Sequence, residues 1–557
     1  MLSRRQLIGN GGYFLMGIAS SFLGRTQGLR HFWGSEPFAG VNTSEFLAKA
    51  ESLKPVLSET AQPALALVRA VGDPTTFLRW RMERDAAIES LSTRTFRAGD
   101  SFIADFGGHR TGYLSFHLEG VGRSIDAPTR LRLTFGEVPG DVAEPLHPYK
   151  GDLSEAWLPE EIVTIDFLPQ NVRLPRRYAF RYVKVEVIAT SPQYVARFSD
   201  FTANAVTSAS GKIVPLPQSV PENLRRIDEV SLATLRDCMQ TTFEDGPRRD
   251  QRLWIGDLRL QALTNYASFR NFATVRRCLY LLAAFPREDG LVHACVYEKP
   301  KPTGAGEICI DYSALFVAVL ADYVQASRDL DTGRELWPLA QLQLEILSQY
   351  VNPEGLFVDP KNVWIFIDWQ DKFDRTASMH GVLLYCHRRA LELAKELGDN
   401  AAIAKYTEVI AKMTTAARSA FYDSGRGVFV SGPARQVSWA SQAWLVLAGV
   451  ATGETAATAL RNAMGDPNSV RPGAPYLYHY VVSALLACGQ REPASKLIEE
   501  YWGAMVANGA DTFWEVFDPS DSRRSPYGDV HMNSFCHAWS CTPSYFLRTP
   551  DLLGGAT

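Results

Sequence analysis

The chain has 557 residues, of which 46% are hydrophobic and 21% are charged, a composition typical of a globular protein with more than one domain. Its formal net charge is −4, so it lacks the basic excess of a nucleic-acid-binding protein and we expect no nucleic-acid partner. The 12 tryptophans and 21 tyrosines are a somewhat rich supply of aromatic faces, which suit sugar stacking and are also used in large cores.

The first 30 residues have a pattern typical of an export signal. Arg4 and Arg5 precede a mildly apolar stretch interrupted by Gly9, Gly11 and Gly12, which matches a twin-arginine signal of the form SRRxxIG. The stretch is short and rich in glycine for a membrane span. We therefore predict export by the twin-arginine route to the periplasm or the medium, without stable membrane insertion apart from this segment. An uncleaved anchor is the alternative.

The next two regions differ in their periodicity. Residues 31–95 predict an irregular region that is partly helical and partly β. From 96 to 207, runs such as TGYLSFHLEGV and YAFRYVKVEVIA alternate apolar with polar residues between Gly, Pro and Asp. Alternation with a period of two predicts antiparallel strands that bury one face, and several such runs predict a β-sandwich. The Pro- and Ser-rich stretch 208–222 predicts a linker.

From Asn223 the apolar period becomes 3.6, and we predict a helical domain over 223–550. The predicted helices are 223–242, 256–268, 270–285, 312–327, 331–351, 376–397, 401–421, 437–450, 453–464, 475–489, 492–507 and 534–546. Short and long connections alternate between them, which predicts six hairpins closed into an (α/α)6 barrel, because each amphipathic hairpin must bury its stripe against its neighbours. The fold class is therefore α+β multidomain, an antiparallel β-sandwich followed by an (α/α)6 barrel. An open solenoid is the alternative, but no fixed sequence period supports it.

The long connections are expected to carry the chemistry, since they should gather at one end of the barrel. Acids, arginines and tryptophans recur in them, at 244–254, 296–311, 360–375, 469–476 and 509–535. All eight cysteines lie from Cys238 onward without a CxxC spacing, so we predict no metal site and no cofactor. A disulfide between Cys536 and Cys541 is left open.

Two of these connections resemble the signatures of a known enzyme family. EDGPRRDQRLWIGD (244–257) is similar to DCPQRDERLGWTGD of glycoside hydrolase family 78, the α-L-rhamnosidases. GADTFWEVFDP and NSFCHAWSCTPSYFL further on resemble that family's GATTxWExWD and S-x-x-H-x-W segments. The resemblance extends over about residues 96–550. It implies an inverting hydrolysis of terminal α-L-rhamnosyl linkages in oligosaccharides or polysaccharides, in which one carboxyl protonates the leaving oxygen and another activates a water.

Of the two catalytic residues that the resemblance implies, one is present in this chain and the other is replaced. Glu515 matches the family's base. Gln251 occupies the position of the proposed general acid, and an amide has no proton to donate at a useful pKa. We predict that Asp245, which matches the motif's first aspartate, supplies the proton; bracing of the turn is its alternative role. Other acids within reach are left open as donors: Asp250, Asp257, Glu307 and Asp311.

The remaining motif and mouth residues are predicted to bind the sugar. They are Arg248, Arg249, Asp250, Gln251, Arg252, Trp254, Asp257, Trp369, Trp514 and His537. The alternative for the arginines is ion pairing with Glu244, Asp245 and Asp250 within the turn.

Two other functions are left open. Three arginines in one turn could neutralise a uronate, so that a tyrosine or histidine removes the proton α to it and the chain acts as a lyase that removes rhamnose from 4-linked glucuronate by β-elimination. The candidate bases are Tyr312, Tyr476, Tyr478, His479, Tyr480 and His537. Alternatively, the loss of the acid at Gln251 leaves a glycan-binding protein without activity.

Overall fold

The computed structural model describes residues 43–553. The predicted export signal at 1–30 lies outside the described residues, as does the first part of the predicted mixed region. Within the described range, no helix combines the length and the apolar character needed to cross a bilayer.

The N-terminal unit contains nine strands and two helices, of which the first packs on the C-terminal unit. They are α1 (Thr43–Ser52), β1 (Ser58–Pro63), β2 (Ala66–Gly72), β3 (Trp80–Ala87), β4 (Ser101–Gly122), β5 (Thr129–Gly136), α2 (Pro139–Ala143), β6 (Glu160–Ile165), β7 (Gln170–Arg173), β8 (Tyr178–Ala189) and β9 (Tyr194–Thr207).

All nine strands pair antiparallel, in the order β1-β9-β4-β8-β5-β6, with β2 and β7 also on β4. The 22-residue strand β4 pairs with β2 and β8 through its first half and with β9 and β7 through its second. The register shifts between Asp105 and Arg110, where a bulge lets one strand serve both layers. The predicted sandwich is confirmed, and its strands begin at Ser58, inside the region predicted as mixed.

The C-terminal unit contains twelve helices between residues 222 and 548, followed by one short helix. They are α3 (Glu222–Cys238), α4 (Ile255–Ala267), α5 (Phe272–Ala283), α6 (Ile310–Ser327), α7 (Leu330–Leu347), α8 (Thr376–Leu397), α9 (Asn400–Phe421), α10 (Trp439–Leu447), α11 (Gly453–Gly465), α12 (Pro475–Ala487), α13 (Arg491–Ala507), α14 (Pro543–Arg548) and α15 (Pro550–Leu553). Short strands β10 (Leu253–Trp254), β11 (Cys295–Tyr297), β12 (Thr303–Gly304), β13 (Tyr422–Asp423) and β14 (Val428–Phe429) lie between them.

The helices close into a ring, which confirms the predicted barrel. Helices α4, α6, α8, α10 and α12 contact one another in that order, and the segment 538–548 packs on α3, α4 and α12. The connections that precede the inner helices meet at one end: Trp254 pairs with Cys295, and Cys309 bridges Trp364. Helix α1 packs on α5, so the start of the described chain belongs to the barrel's surface.

The predicted helix at 534–546 is wrong over its first half. Regular helix begins only at Pro543, because the backbone N–H groups ahead of it have partners outside any helix. Phe535 N donates to the Glu137 carboxylate at 2.7 Å, and Ala538 N donates to Asp245 O at 2.9 Å. Donors held in this way are unavailable for the i to i−4 pattern of a helix.

All eight cysteines are free thiols, so the open Cys536–Cys541 pairing is not formed. The sulfur of Cys536 instead lies 3.8 Å from that of Cys238, between the segments that carry the two signatures.

Candidate active site

The turn at 244–257 and the segment at 513–540 converge at the end of the barrel where the long connections meet. Arg249 Nη2 donates to Glu515 Oε2 at 2.8 Å, and Ser534 Oγ donates to Arg249 O at 3.0 Å. Residues nearly three hundred positions apart therefore share one buried site.

Glu515 is the centre of this contact. Its side chain is 3% exposed, and its Oε2 accepts hydrogen bonds from Arg249 and from Ser534 N at 3.2 Å. The Tyr527 hydroxyl donates to its other oxygen, Oε1, and the Arg249 guanidinium lies 4.1 Å from the centre of the Tyr527 ring. Donors on both oxygens fix the orientation of the carboxylate, as a base that must aim at one water requires.

Asp245 lies in the same turn and is buried. Its Oδ1 accepts from Arg252 N at 3.0 Å and its Oδ2 accepts from Asp250 N at 3.2 Å, so it braces the turn. Burial raises the pKa of Asp245 to about 7, and the nearby Asp250 carboxylate adds to the rise. A carboxyl with such a pKa carries a proton near neutral pH and can donate it.

Gln251 is turned back onto its own loop. It has a φ of +61°, and its side-chain Nε2 donates to Pro247 O at 2.7 Å. The glutamine thus stabilises the turn, in a backbone conformation that a non-glycine residue adopts uncommonly.

The three arginines of the turn have carboxylate neighbours, and of the predicted partners only Asp250 is among them. Arg249 Nη1 lies 3.0 Å from Asp250 Oδ1 and Arg252 Nη1 lies 3.7 Å from Asp250 Oδ2. Arg248 turns away from the pocket and pairs with Asp141 of α2 at 2.8 Å, so its guanidinium is held between the domains. Glu244 pairs with Arg177 of the sandwich at 2.6 Å.

A cluster of aromatic side chains lies beside these groups, and Trp539 Nε1 of this cluster donates to Glu515 O at 3.0 Å. The Trp254 ring is edge-on to Tyr312 and Trp364, at 6.3 and 6.2 Å between centroids. Phe366 packs on Trp539 at 5.9 Å and on Trp369 at 5.2 Å. Such a surface fits the apolar face of a sugar ring.

His537 and Asp257 face each other at the pocket's side, with Nδ1 and Oδ1 3.8 Å apart. The Tyr312 hydroxyl also lies 3.5 Å from Asp257. Trp514, in contrast, is buried at 2% exposure and stacks on Phe77 at 5.5 Å, so its ring belongs to the core and not to the pocket.

Two of the acids that the sequence left open as proton donors, Asp311 and Glu307, have other partners. Asp311 accepts backbone hydrogen bonds from Phe366 and Ile367, both at 3.0 Å, and so fixes the irregular segment that carries Trp364, Phe366 and Trp369. Glu307 lies near Cys295 and Tyr297, where its charge contributes to raising the pKa of both groups.

Burial shifts the pKa of three of the candidate lyase bases in the direction that disfavours proton removal. Burial raises the pKa of Tyr312 and of Tyr476 well above its ordinary value, which disfavours the phenolate that a base requires. Burial also lowers the pKa of His479 well below its ordinary range.

Sequence reasoning missed Tyr527, Phe366 and the acids of the sandwich that contact the turn. Tyr527 and Phe366 stand in long connections among other aromatics, where no spacing distinguishes them. Among residues 43–553, no group of three or more His, Cys, Asp or Glu side chains could hold a metal ion.

Two family models match the chain. The glycosyl hydrolase family 78 alpha-rhamnosidase N-terminal domain matches residues 64–205, and the bacterial alpha-L-rhamnosidase six-hairpin glycosidase domain matches residues 219–549. None of the curated proteins matches the chain.

Solved structures agree with these models. A rhamnosidase from Klebsiella oxytoca with rhamnose bound is 46% identical, with a TM-score of 0.88, over 91% of this chain and 98% of that one. Two more distant structures share the fold. The family 78 rhamnosidase of Bacillus sp. GL1 is 21% identical, with a TM-score of 0.69, over 84% of this chain and 49% of that one. The Streptomyces avermitilis α-L-rhamnosidase complexed with L-rhamnose is 17% identical, with a TM-score of 0.64, over 88% of this chain and 44% of that one.

Proposed function

Because this chain belongs to glycoside hydrolase family 78, the α-rhamnosidases, we propose that it removes terminal α-L-rhamnosyl groups from oligosaccharides or polysaccharides by hydrolysis with inversion. The observation that carries the proposal is the meeting of Glu515 with Arg249 and the Asp245 turn in one buried site beside a cluster of aromatic rings. The rhamnose bound to the Klebsiella relative supports the choice of sugar.

In the proposed reaction, Glu515 accepts a proton from a water whose oxygen forms a bond to the anomeric carbon. The bond between that carbon and the glycosidic oxygen breaks, and the oxygen receives a proton from Asp245. Attack from the face opposite the leaving group inverts the anomeric centre. The raised pKa of Asp245, about 7, supports its assignment as the acid.

The other residues of the pocket are proposed to hold the sugar. Trp254, Phe366 and Trp539 offer apolar faces, and Asp257 with His537 offers hydrogen-bonding groups for the hydroxyls. Arg249 and Asp250 border the same pocket. We further propose that the protein acts outside the cytoplasm, on the basis of the twin-arginine pattern in residues 1–30.

One set of assays tests the reaction class. The protein is incubated with a rhamnose-capped arabinogalactan and with p-nitrophenyl α-L-rhamnoside, and proton NMR follows the anomer released at early times. We expect free rhamnose, formed first as the inverted β-anomer, without an unsaturated uronate chromophore. The chromophore would identify a lyase, and retardation of the glycan without release would identify a binder.

The Glu515→Gln variant tests the site. It keeps the shape of the side chain, and its kcat should fall by about 10²–10⁴-fold, the usual contribution of an acid–base group. Full activity of this variant would refute the proposed mechanism. Asp228→Asn is the matched control, because Asp228 is a buried carboxylate paired with Arg548 and Ser544 that is bonded neither to Glu515 nor to the turn at 244–257.

A further inference from the structure

We propose that two acids of the β-sandwich, Glu137 and Asp141, are positioning residues that hold both catalytic segments of the barrel in register, so that the sandwich completes the active site. We call these two residues the acidic corner. The inference rests on the proposed function of Glu515, and it adds a role for a domain that carries none of the reacting groups.

The acidic corner holds the turn at 244–257 through Arg248. Arg248 Nη1 donates to Asp141 Oδ2 at 2.8 Å and Nη2 donates to Asp141 Oδ1 at 3.2 Å. Nη1 also lies 3.4 Å from Glu137 Oε2. Such a bidentate contact fixes the direction of the guanidinium as well as its distance. The side chains of Arg248, Glu137 and Asp141 are all at most 4% exposed.

The same corner holds the segment that carries the base. Phe535 N donates to Glu137 Oε2 at 2.7 Å, and Arg248 Nη2 donates to His531 O at 2.7 Å. Glu137 and Arg248 thus each contact this segment. A bond between Asp152 N and Tyr527 O, at 2.8 Å, adds a second contact from the N-terminal unit to this segment.

These contacts adjoin the donors of Glu515. Arg249, which donates to Oε2, follows Arg248 directly in the chain; Ser534, whose N–H donates to the same oxygen, directly precedes Phe535. Both donors to Oε2 are therefore one residue from a group that the acidic corner holds. A shift of the corner would move both donors and the carboxylate they orient.

A buried histidine lies between Glu137 of the corner and Asp237. His109 Nε2 lies 3.0 Å from Glu137 Oε1 and its Nδ1 lies 2.7 Å from Asp237 Oδ2. Each ring nitrogen faces a carboxylate oxygen, so each carries a proton and the ring is an imidazolium. With Arg248 it supplies two positive charges beside the three carboxylates Glu137, Asp141 and Asp237, which lowers the cost of burying them.

The test uses the full chain with Asp141→Asn and Glu137→Gln. Each variant keeps the shape of the side chain and removes its charge. We expect kcat to fall by roughly 10²-fold, the effect of a small displacement of a catalytic group, while KM for p-nitrophenyl α-L-rhamnoside changes little. KM should be spared because Trp254 and Asp257, which are proposed to hold the sugar, have supports of their own: Trp254 pairs with Cys295, and Asp257 lies in α4.

Arg248→Lys is the conservative variant. It keeps the positive charge but not the two-pronged geometry, and we expect a kcat between those of the wild type and Asp141→Asn. This variant also decides the question if Asp141→Asn fails to fold by circular dichroism. Asp228→Asn is the control for the removal of a buried ion pair, with lower stability and unchanged kcat expected.

Natively folded variants of the corner with wild-type kcat would overturn the inference, and so would an equal loss of kcat in Asp228→Asn. A proportional change of kcat and KM would also overturn it, because that indicates altered binding of the sugar. Full activity of Glu515→Gln refutes the proposed function itself, whereas an inactive Glu515→Gln beside a normal Asp141→Asn refutes only the role of the corner.

Discussion

The two catalytic segments differ in how their backbones are held. The turn at 244–257 is held largely by its own residues: Asp245 accepts from two N–H groups of the turn, and Gln251 donates to Pro247. The segment at 513–540 is held both by its own residues, since Tyr527 and Ser534 donate to Glu515, and from outside. Phe513 N donates to Thr234 Oγ1 of α3 at 2.7 Å, and other groups of the segment bond to the turn and to the sandwich.

This difference separates two ways of building a catalytic carboxyl. A turn that closes on its own side chains keeps a defined shape from local contacts, and Asp245 is both its brace and its proposed acid. The segment around Glu515 closes on Tyr527 and Ser534 and also takes a donor from the turn, Arg249, so the orientation of the base depends on both segments. Changes in the turn should act on Asp245 directly, whereas Glu515 should respond to changes in either segment.

Among changes in the turn, replacing Asp245 should lower the activity most. Asp245→Asn removes the proposed proton, and kcat/KM should fall by about 10²–10⁴-fold. For the wild type, kcat/KM should fall as the pH rises through about 7, since the acid must be protonated and its pKa is raised to that value. A stopped assay across pH 5–9 measures both effects. A variant with the wild-type rate and pH profile would show that another group donates the proton, and Glu244→Gln is the neighbouring control.

Replacing Tyr527 should weaken the base without removing it. Tyr527→Phe deletes the donor to Glu515 Oε1, and kcat should fall by about 10–100-fold, since a hydrogen bond to a charged group contributes about 1.5–3 kcal/mol. Steady-state kinetics on p-nitrophenyl α-L-rhamnoside measure the loss. Tyr501→Phe is a matched control, because the Tyr501 hydroxyl donates to Phe517 O; an equal loss in both variants would contradict the role of Tyr527.

Removing an outside support of the 513–540 segment should lower stability. Thr234→Val is close to isosteric and leaves Phe513 N without its partner, so the free energy of unfolding should fall by about 1–3 kcal/mol. Urea unfolding measures this change, with Thr407→Val as an exposed control on α9. Unchanged stability would mean that the segment does not depend on this contact.

The smallest effect is expected at Gln251. Gln251→Glu restores the residue of the family signature, yet it removes the donor to Pro247 O, so the turn should lose about 1 kcal/mol and kcat should not rise. Activity and urea unfolding are measured side by side, with Gln251→Ala as the variant that removes the bond without adding a carboxyl. A large gain in kcat with Glu would assign the proton donor to this position and not to Asp245.

Regular periodicity made most of the fold predictable. Alternation with period two gave the sandwich, and the 3.6 period gave all twelve barrel helices, of which only the last was misplaced. That error arose where backbone donors bond to distant groups, as Phe535 N does with Glu137. No local sequence pattern indicates such a partner, because Glu137 lies 398 positions from Phe535 in the chain.

The candidate site was likewise predictable where it depends on local sequence, and not where it depends on distant partners. By itself the sequence determined the family, the sandwich followed by the six-hairpin barrel, and the two segments that carry Glu515 and Asp245, because residue type and spacing are local properties of the chain. Only the tertiary structure decided that Arg248 belongs to the domain interface, that Trp514 belongs to the core, and that Tyr527 contacts the base. The physical reason is that the direction of a side chain in an irregular segment depends on the partners that burial brings to it, and those partners come from other domains and other loops.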